Sequence, residues 1–102
     1  MGGVRHLEIS FRSKKIERIC TDYTEASRQH GREMAIAIHK RMNELRAADS
    51  VDMMIRFKIG RCHQLAGDRI GQFSLDLQQP YRLVFKSSGE AAVLIFEIVD
   101  YH

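Results

Sequence analysis

The sequence predicts a small α+β domain in which two N-terminal helices pack on one face of a small, mainly antiparallel sheet. Three observations predict it. Apolar residues recur at helical spacing through the first half, they alternate with polar residues in the second, and the chain has only 102 residues. That length leaves room for one core, read as a single domain over residues 1–102. Such a domain buries roughly two-thirds of its unfolded surface, enough to fold without disulfides or a metal.

The elements follow in order. Leu7, Ile9 and Phe11 alternate with His6, Glu8 and Ser10, the period of a strand with one buried face. Ser13 is placed to cap a helix whose apolar stripe is Ile16, Ile19, Cys20 and Tyr23. Gly31 separates it from a longer helix with Met34, Ile38, Met42 and Leu45 on one side, ending near Asp49 and Ser50. The stretch VDMMIRFKI has mixed periodicity and reads as a short helix or an irregular strand. Gly60, Gly67 and Gly71 then bracket a loop, GRCHQLAGDRIG, anchored at Leu65. Phe73, Leu75 and Leu77 alternate with Ser74 and Asp76, and Pro80 closes a turn. Tyr81, Leu83 and Phe85 alternate with Arg82, Val84 and Lys86. After the hairpin loop SSGE comes AAVLIFEIV, apolar on both faces as an interior strand should be. Together these give a three-strand meander after the helices. Met34, Ile38, Met42 and Leu45 should face Leu75, Leu83, Leu94 or Phe96, and Arg82 and Lys86 should lie on the other face.

Composition excludes several classes. No stretch is long and apolar enough to span a bilayer, and two cysteines without paired spacing make no disulfide framework. A cytoplasmic protein away from membranes is expected. The net charge is only +3, but its distribution is uneven. Residues 53–89 carry six basic side chains against Asp68 and Asp76, whereas Glu90, Glu97 and Asp100 follow with no Lys or Arg after them. A basic middle beside an acidic end fits a polyanion site, and also fits a plain solvated face.

Absent motifs narrow the chemistry. No phosphate-binding glycine loop, G-x-G-x-x-G, CxxC or HExxH occurs. Cys62 and His63 are adjacent and point apart on an extended chain, and His30 and His39 are poorly spaced for a shared ion, so neither metal nor cofactor is expected. Cys62 reads as a semi-buried loop cysteine rather than a nucleophile. The candidates that remain are His63 in the glycine-bounded loop, Arg82 within the apolar strand YRLVF, the basic neighbours Arg61, Arg69 and Lys86, and the terminal Asp100-Tyr101-His102. Each has a plainer reading: a solvated histidine, the outward member of a strand, surface charge, a fraying end. Taken together they are the parts needed to cleave RNA without metal. A histidine can take the 2′-OH proton or protonate the departing 5′-oxygen, arginine can hold the phosphoryl oxygens, and tyrosine can stack on a base.

The stretches LEISF-RSKKIERI, CHQLAGDRIGQFSLDLQQPYRLVF and FEIVDYH resemble the RelE/ParE superfamily of toxin–antitoxin toxins, most closely its HigB branch. The specific part is H-x-L-x-G…G-x-[FYW]-S…YR-[LI]-x-F with a chain ending in DYH. The resemblance implies the RelE-like toxin fold and a ribosome-dependent mRNA endoribonuclease working in the ribosomal A site. It implies His102 as leading general base with Asp100 in support, Arg82 on the phosphate, and His63 with Tyr101 orienting the RNA or aiding proton transfer. The implied partners are a HigA-like helix-turn-helix antitoxin, the ribosome with bound mRNA, and operator DNA reached through the antitoxin. Ala66 stands where HigB-like toxins often carry lysine, and neither Arg61 nor Arg69 has its spacing. A ParE-like gyrase-targeting toxin and a non-catalytic nucleic-acid-binding module are the alternatives.

Overall fold

The structure is a computed structural model that describes residues 6–89 and 91–100, so Tyr101 and His102 lie outside the described residues. Strand β1 (Glu8–Phe11) is followed by four helices: α1 (Lys14–Thr21), α2 (Tyr23–His30), α3 (Arg32–Ala47) and α4 (Val51–Arg56). Then come β2 (His63–Gln64), β3 (Gln72–Asp76), β4 (Tyr81–Ser87) and β5 (Ala92–Asp100).

The helical half differs from the two helices expected, and caps explain the difference. Ser13 does cap α1, its Oγ accepting from the Ile16 N–H at 3.2 Å. Asp22 is extended and stops α1, while its carboxylate accepts from the N–H groups of Thr24 and Glu25 and starts α2. The break turns Tyr23 out to 44% exposure, and Ala26 takes the inner position instead. Glu25 is carried inward with it, answered by Gln29 at 2.6 Å and by Arg28 and Arg18 at 3.4 and 3.7 Å. The ambiguous VDMMIRFKI resolves as α4. Ser50 caps it through the Met53 N–H, and Met54 is fully buried. Asp52 and Arg56 fall one turn apart on its exposed side, whereas a strand would have put the buried Met54 on their face.

The sheet has the order β1-β5-β4-β3-β2. Only β1 with β5 is parallel, so the late meander is antiparallel and the N-terminal strand closes it from the far side. β5 is therefore an interior strand, as its two apolar faces require. One core joins the helices to a single face of the sheet: Met34, Ile38, Met42 and Leu45 with Leu75, Leu83, Phe85, Val93 and Ile95. The Phe73 and Phe85 rings stack across β3 and β4 at 5.6 Å.

Leu94 and Phe96 are not in this core, contrary to expectation. The inner residues of β5 are Val93, Ile95 and Ile98. Alternation from Val93 and Ile95 already turns Leu94 and Phe96 outward, and a bulge then changes the pattern. Phe85 pairs with Ile95 but Val84 with Glu97, so Phe96 is the extra residue and the alternation shifts there. Phe96 and Glu97 consequently sit side by side on the outer face, and Ile98 returns to the core.

Leu45 and Leu83 are both wholly buried in that layer. Replacing either by alanine should cost about 2–5 kcal/mol, read as a lower urea midpoint at unchanged slope; a loss within experimental error would mean that the two layers do not pack as described.

Candidate functional site on the outer face of the sheet

The outer face collects side chains from four segments. His63 stands opposite Ser74, and Asp76 opposite Arg82, with Val84 and Lys86 further along β4. His63 is thus on a short edge strand rather than in the loop where the sequence placed it, which fixes its direction. The loop's apolar anchor is the buried Cys62, with Leu65 only half-buried.

His63 has a defined hydrogen-bond arrangement. Its Nδ1 lies 2.8 Å from the Arg61 carbonyl oxygen. A carbonyl only accepts, so Nδ1 carries a hydrogen and donates it. In the neutral ring the lone pair is then on Nε2, which faces the buried Ser74 hydroxyl at 3.5 Å. The carbonyl of Arg61 is aimed by unusual backbone. Lys58, Gly60 and Arg61 all adopt left-handed conformations (φ 54°, 59° and 53°), costly for the two non-glycine residues.

Asp76, which sequence reasoning passed over as a polar member of a strand, organises the arginines. It is 7% exposed. One carboxylate oxygen lies 3.6 Å from Arg82 Nε and the other 3.5 Å from Arg61 Nε. These are charge contacts longer than a good hydrogen bond. The Arg61 contact, with its side chain 74% exposed, is worth little in stability. The Arg82 side chain is only 24% exposed, so that contact is less screened. The signal available in sequence was an acid alternating in register with apolar residues, directly before the turn that leads to Arg82.

Arg69 stands differently from Arg61. Its guanidinium meets Glu97 at 2.5 Å and Gln72 at 3.0 Å, bridging across β4 at the level of Val84. Lys86 lies over the Phe96 ring at 4.3 Å. Asp100 ends β5 opposite Tyr81, whose ring side packs toward the core, so the alternation puts Asp100 on the other side of the sheet from Arg82. His63, Arg61 and Arg82 are thus brought together around Ser74 and Asp76, and Asp100 is at the rim. No three metal-ligating side chains cluster among the described residues. No helix among them is long and apolar enough to cross a membrane.

The two thiols are removed from chemistry at neutral pH. Burial pushes Cys62 up to about 11 and Cys20 up to about 12, the latter eased slightly by Arg46. Both stay protonated, which agrees with reading Cys62 as structural.

No protein-family model matches the chain, and no curated protein matches it. Solved structures do. A YoeB/ParE toxin from Agrobacterium tumefaciens superposes with a TM-score of 0.62 at 16% identity, over 94% of this chain and all of that one. The YoeB dimer from Staphylococcus aureus gives 0.61 at 21% identity, over 95% of this chain and 98% of its own. YoeB in the YoeB–YefM complex of the same organism gives the same values. The chain has the YoeB/ParE toxin fold. The RelE-like architecture implied by the sequence resemblance is therefore the one observed, and at these identities the likeness is one of fold.

Two outcomes follow from the site's electrostatics. In Asp76→Asn, the Nε–Hε signals of Arg61 and Arg82 should exchange faster with water while amide shifts in the helix layer hold; unchanged exchange would show that Asp76 does not restrain them. The raised thiols should leave stability intact below their ordinary value of 9.0 and erode it as pH rises toward 11 and 12, because the unfolded chain ionises first. Cys62→Ala and Cys20→Ala should each flatten that alkaline slope in denaturation curves.

Proposed function

We propose that the chain is the toxin of a type II toxin–antitoxin pair, a ribosome-dependent endoribonuclease of HigB type that cleaves mRNA without metal in the cytoplasm. The observation that carries the reading is the pairing on one face of a tautomer-fixed histidine, His63, with an arginine, Arg82, braced by a buried carboxylate. It is the equipment of phosphodiester cleavage rather than of simple polyanion binding, which needs charge but no fixed imidazole lone pair.

In the proposed step the RNA 2′-oxygen bonds to the adjacent phosphorus and the bond from phosphorus to the 5′-oxygen breaks. A base takes the 2′-OH proton, and an acid supplies one to the departing 5′-oxygen. By the resemblance, His102 is the leading base, and Asp100, which alternation turns to the other side of the sheet from Arg82, supports it without meeting the phosphate. His63 and Tyr101 orient the RNA or assist proton transfer. Arg82 meets the phosphoryl oxygens with its two-donor fork as charge builds there. Its place on a paired strand and the attraction of the Asp76 carboxylate limit where the fork can stand, so less reorganisation is needed when that charge develops. Arg61 and Lys86 contribute binding, and Arg69 shapes the face from within its ion pair with Glu97.

Toxins of this fold occur with antitoxins, as in the YoeB–YefM toxin–antitoxin heterotetramer of Staphylococcus aureus. The partner proposed here is a HigA-like helix-turn-helix antitoxin, which would also carry the complex to operator DNA. An acidic or amphipathic segment of that partner suits the basic outer face.

The deciding measurement is single-turnover cleavage of mRNA prebound to ribosomes. Arg82→Ala should lower the rate on the order of 10²-fold, as for loss of one oxyanion donor, and Arg82→Lys should lower it too. A folded chain lacking His102 should also lose most of its rate. An unchanged rate in Arg82→Ala would reduce Arg82 to a binding contact. Growth arrest with mRNA intact would favour a gyrase-type toxin.

A further inference from the structure

β1 is an end strand of the sheet, with β5 on one side and no strand among the described residues on the other. In its parallel pairing with β5, Glu8 and Arg12 donate their N–H groups to the carbonyls of Ala91 and Ile95 at 2.8 and 2.9 Å. Alternate residues of a strand direct their backbone groups to opposite edges. The N–H and C=O groups of Ile9 and Phe11 therefore point off the sheet, and among the described residues neither N–H has a partner. The open stretch begins after Leu7, whose N–H is taken by the Ala48 carbonyl at 3.0 Å. It ends before Ser13, whose carbonyl already accepts from Glu17 at the start of α1.

This short edge is complementary to itself. Laid antiparallel on a second copy with Ser10 at the centre, Ile9 of each chain comes opposite Phe11 of the other, and Glu8 opposite Arg12. The residues with free backbone groups then face each other, and each such pair exchanges both its hydrogen bonds. Centring the pairing on Ile9 or Phe11 instead would call on Leu7 or Ser13, whose groups are already used. The side chains agree with the central register. Ile9 and Phe11, both half-buried against the core, would pack β-branched against aromatic across the junction. Glu8, Ser10 and Arg12 share the outer face, so acid meets base on either side of two small serines. Arg12 lies over the Phe96 ring at 4.5 Å, a weak hold at an exposed site that a carboxylate can replace. Charges on an edge ordinarily keep strands apart. Here opposite signs stand equally far from Ser10, and a second copy is the partner they fit.

We propose that β1 is a self-pairing edge, through which two copies of the chain join antiparallel about Ser10 into one continuous sheet. The two-fold axis passes through Ser10 perpendicular to the sheet, so both outer faces, each with its His63 and Arg82, look to the same side. The contact is short, and the dimer is accordingly weak and dependent on concentration rather than obligate. It draws on backbone and charge alone and does not depend on the ribonuclease reading.

The test follows the full chain by sedimentation velocity over a concentration series, with amide hydrogen exchange read at the same concentrations. Dimer should accumulate as concentration rises, and the Ile9 and Phe11 N–H groups should slow in step. The Ser10 N–H, which faces β5, should change far less. Glu8→Arg sets basic side chains face to face and Arg12→Glu sets acidic ones. Symmetry counts each clash twice, so either variant alone should associate on the order of tenfold more weakly. Mixed together, the two variants should pair with one another, because each supplies the charge that the other lacks. Glu8→Arg/Arg12→Glu should recover self-association for the same reason, and recovery also shows that the substitutions leave the chain folded. A chain that stays monomeric across the series, even one whose edge amides are protected by some other protein, would overturn the proposal. So would a dimer indifferent to both substitutions, exchange at Ile9 and Phe11 that ignores concentration, or single variants that stay apart when mixed.

Discussion

Asp76 joins the two layers of the molecule. From the helix side, Arg41 on α3 donates its Nε–H to the Asp76 carbonyl oxygen at 2.6 Å and is itself held by Glu44 at 2.7 Å. On the outer side the Asp76 carboxylate faces Arg61 and Arg82. Arg41 can reach it only because residue 60 is glycine. A Cβ there would stand 2.9 Å from Arg41 Nε and 3.1 Å from a Leu75 methyl, at a backbone angle that side chains rarely adopt. The packing of α3 thereby sets where the site's carboxylate stands, and the carboxylate sets where the arginines stand. Rigid elements fix such geometry better than a loop could.

The β5 bulge does a comparable job with a different pair. Without it, strict alternation would send Glu97 toward the helices and leave Arg69 with no acid across β4. With it, Phe96 and Glu97 share a face, and each gathers its own basic partner. One holds Arg69 close in an ion pair; the other holds Arg12 and Lys86 by their attraction to a ring. The face is therefore divided into a charge-neutral crossing over Val84 and basic areas to either side of it. This division was invisible in the bare count of lysines and arginines.

Much of the architecture was legible because it rests on periodicity. The stripe Met34, Ile38, Met42 and Leu45 is wholly internal, and Arg82 does face away from it, as three- and two-residue spacings require. What could not be read depended on single residues. Asp22 is a plausible helix residue until its carboxylate is seen capping a second helix. The run AAVLIFEIV is apolar on both faces and does not mark which residues turn inward, so Leu94 and Phe96 were expected in the core and lie outside it. For the site, residue types identified His63, Arg82 and their basic neighbours, whereas Asp76 needed the register: only pairing shows that it stands opposite Arg82. Arg69 was indistinguishable from Arg61 in sequence, yet one is tied into an ion pair and the other is largely exposed.

The parallel pairing of β1 with β5 has a consequence for synthesis. Ser10 on β1 bonds the Val93 carbonyl across 83 positions of sequence, and β5 is the strand that both β1 and β4 flank. A ribosome making this chain releases β1 and β4 as bare edges before the strand that belongs between them exists. Non-local closure of this kind comes late. Until it happens, Arg69 has no acid to cross to, Arg12 has no ring to lie on, and the outer face has no middle. A nascent or truncated chain would thus lack this surface altogether, and the molecule would complete its outer face in one step, when the last strand slides home.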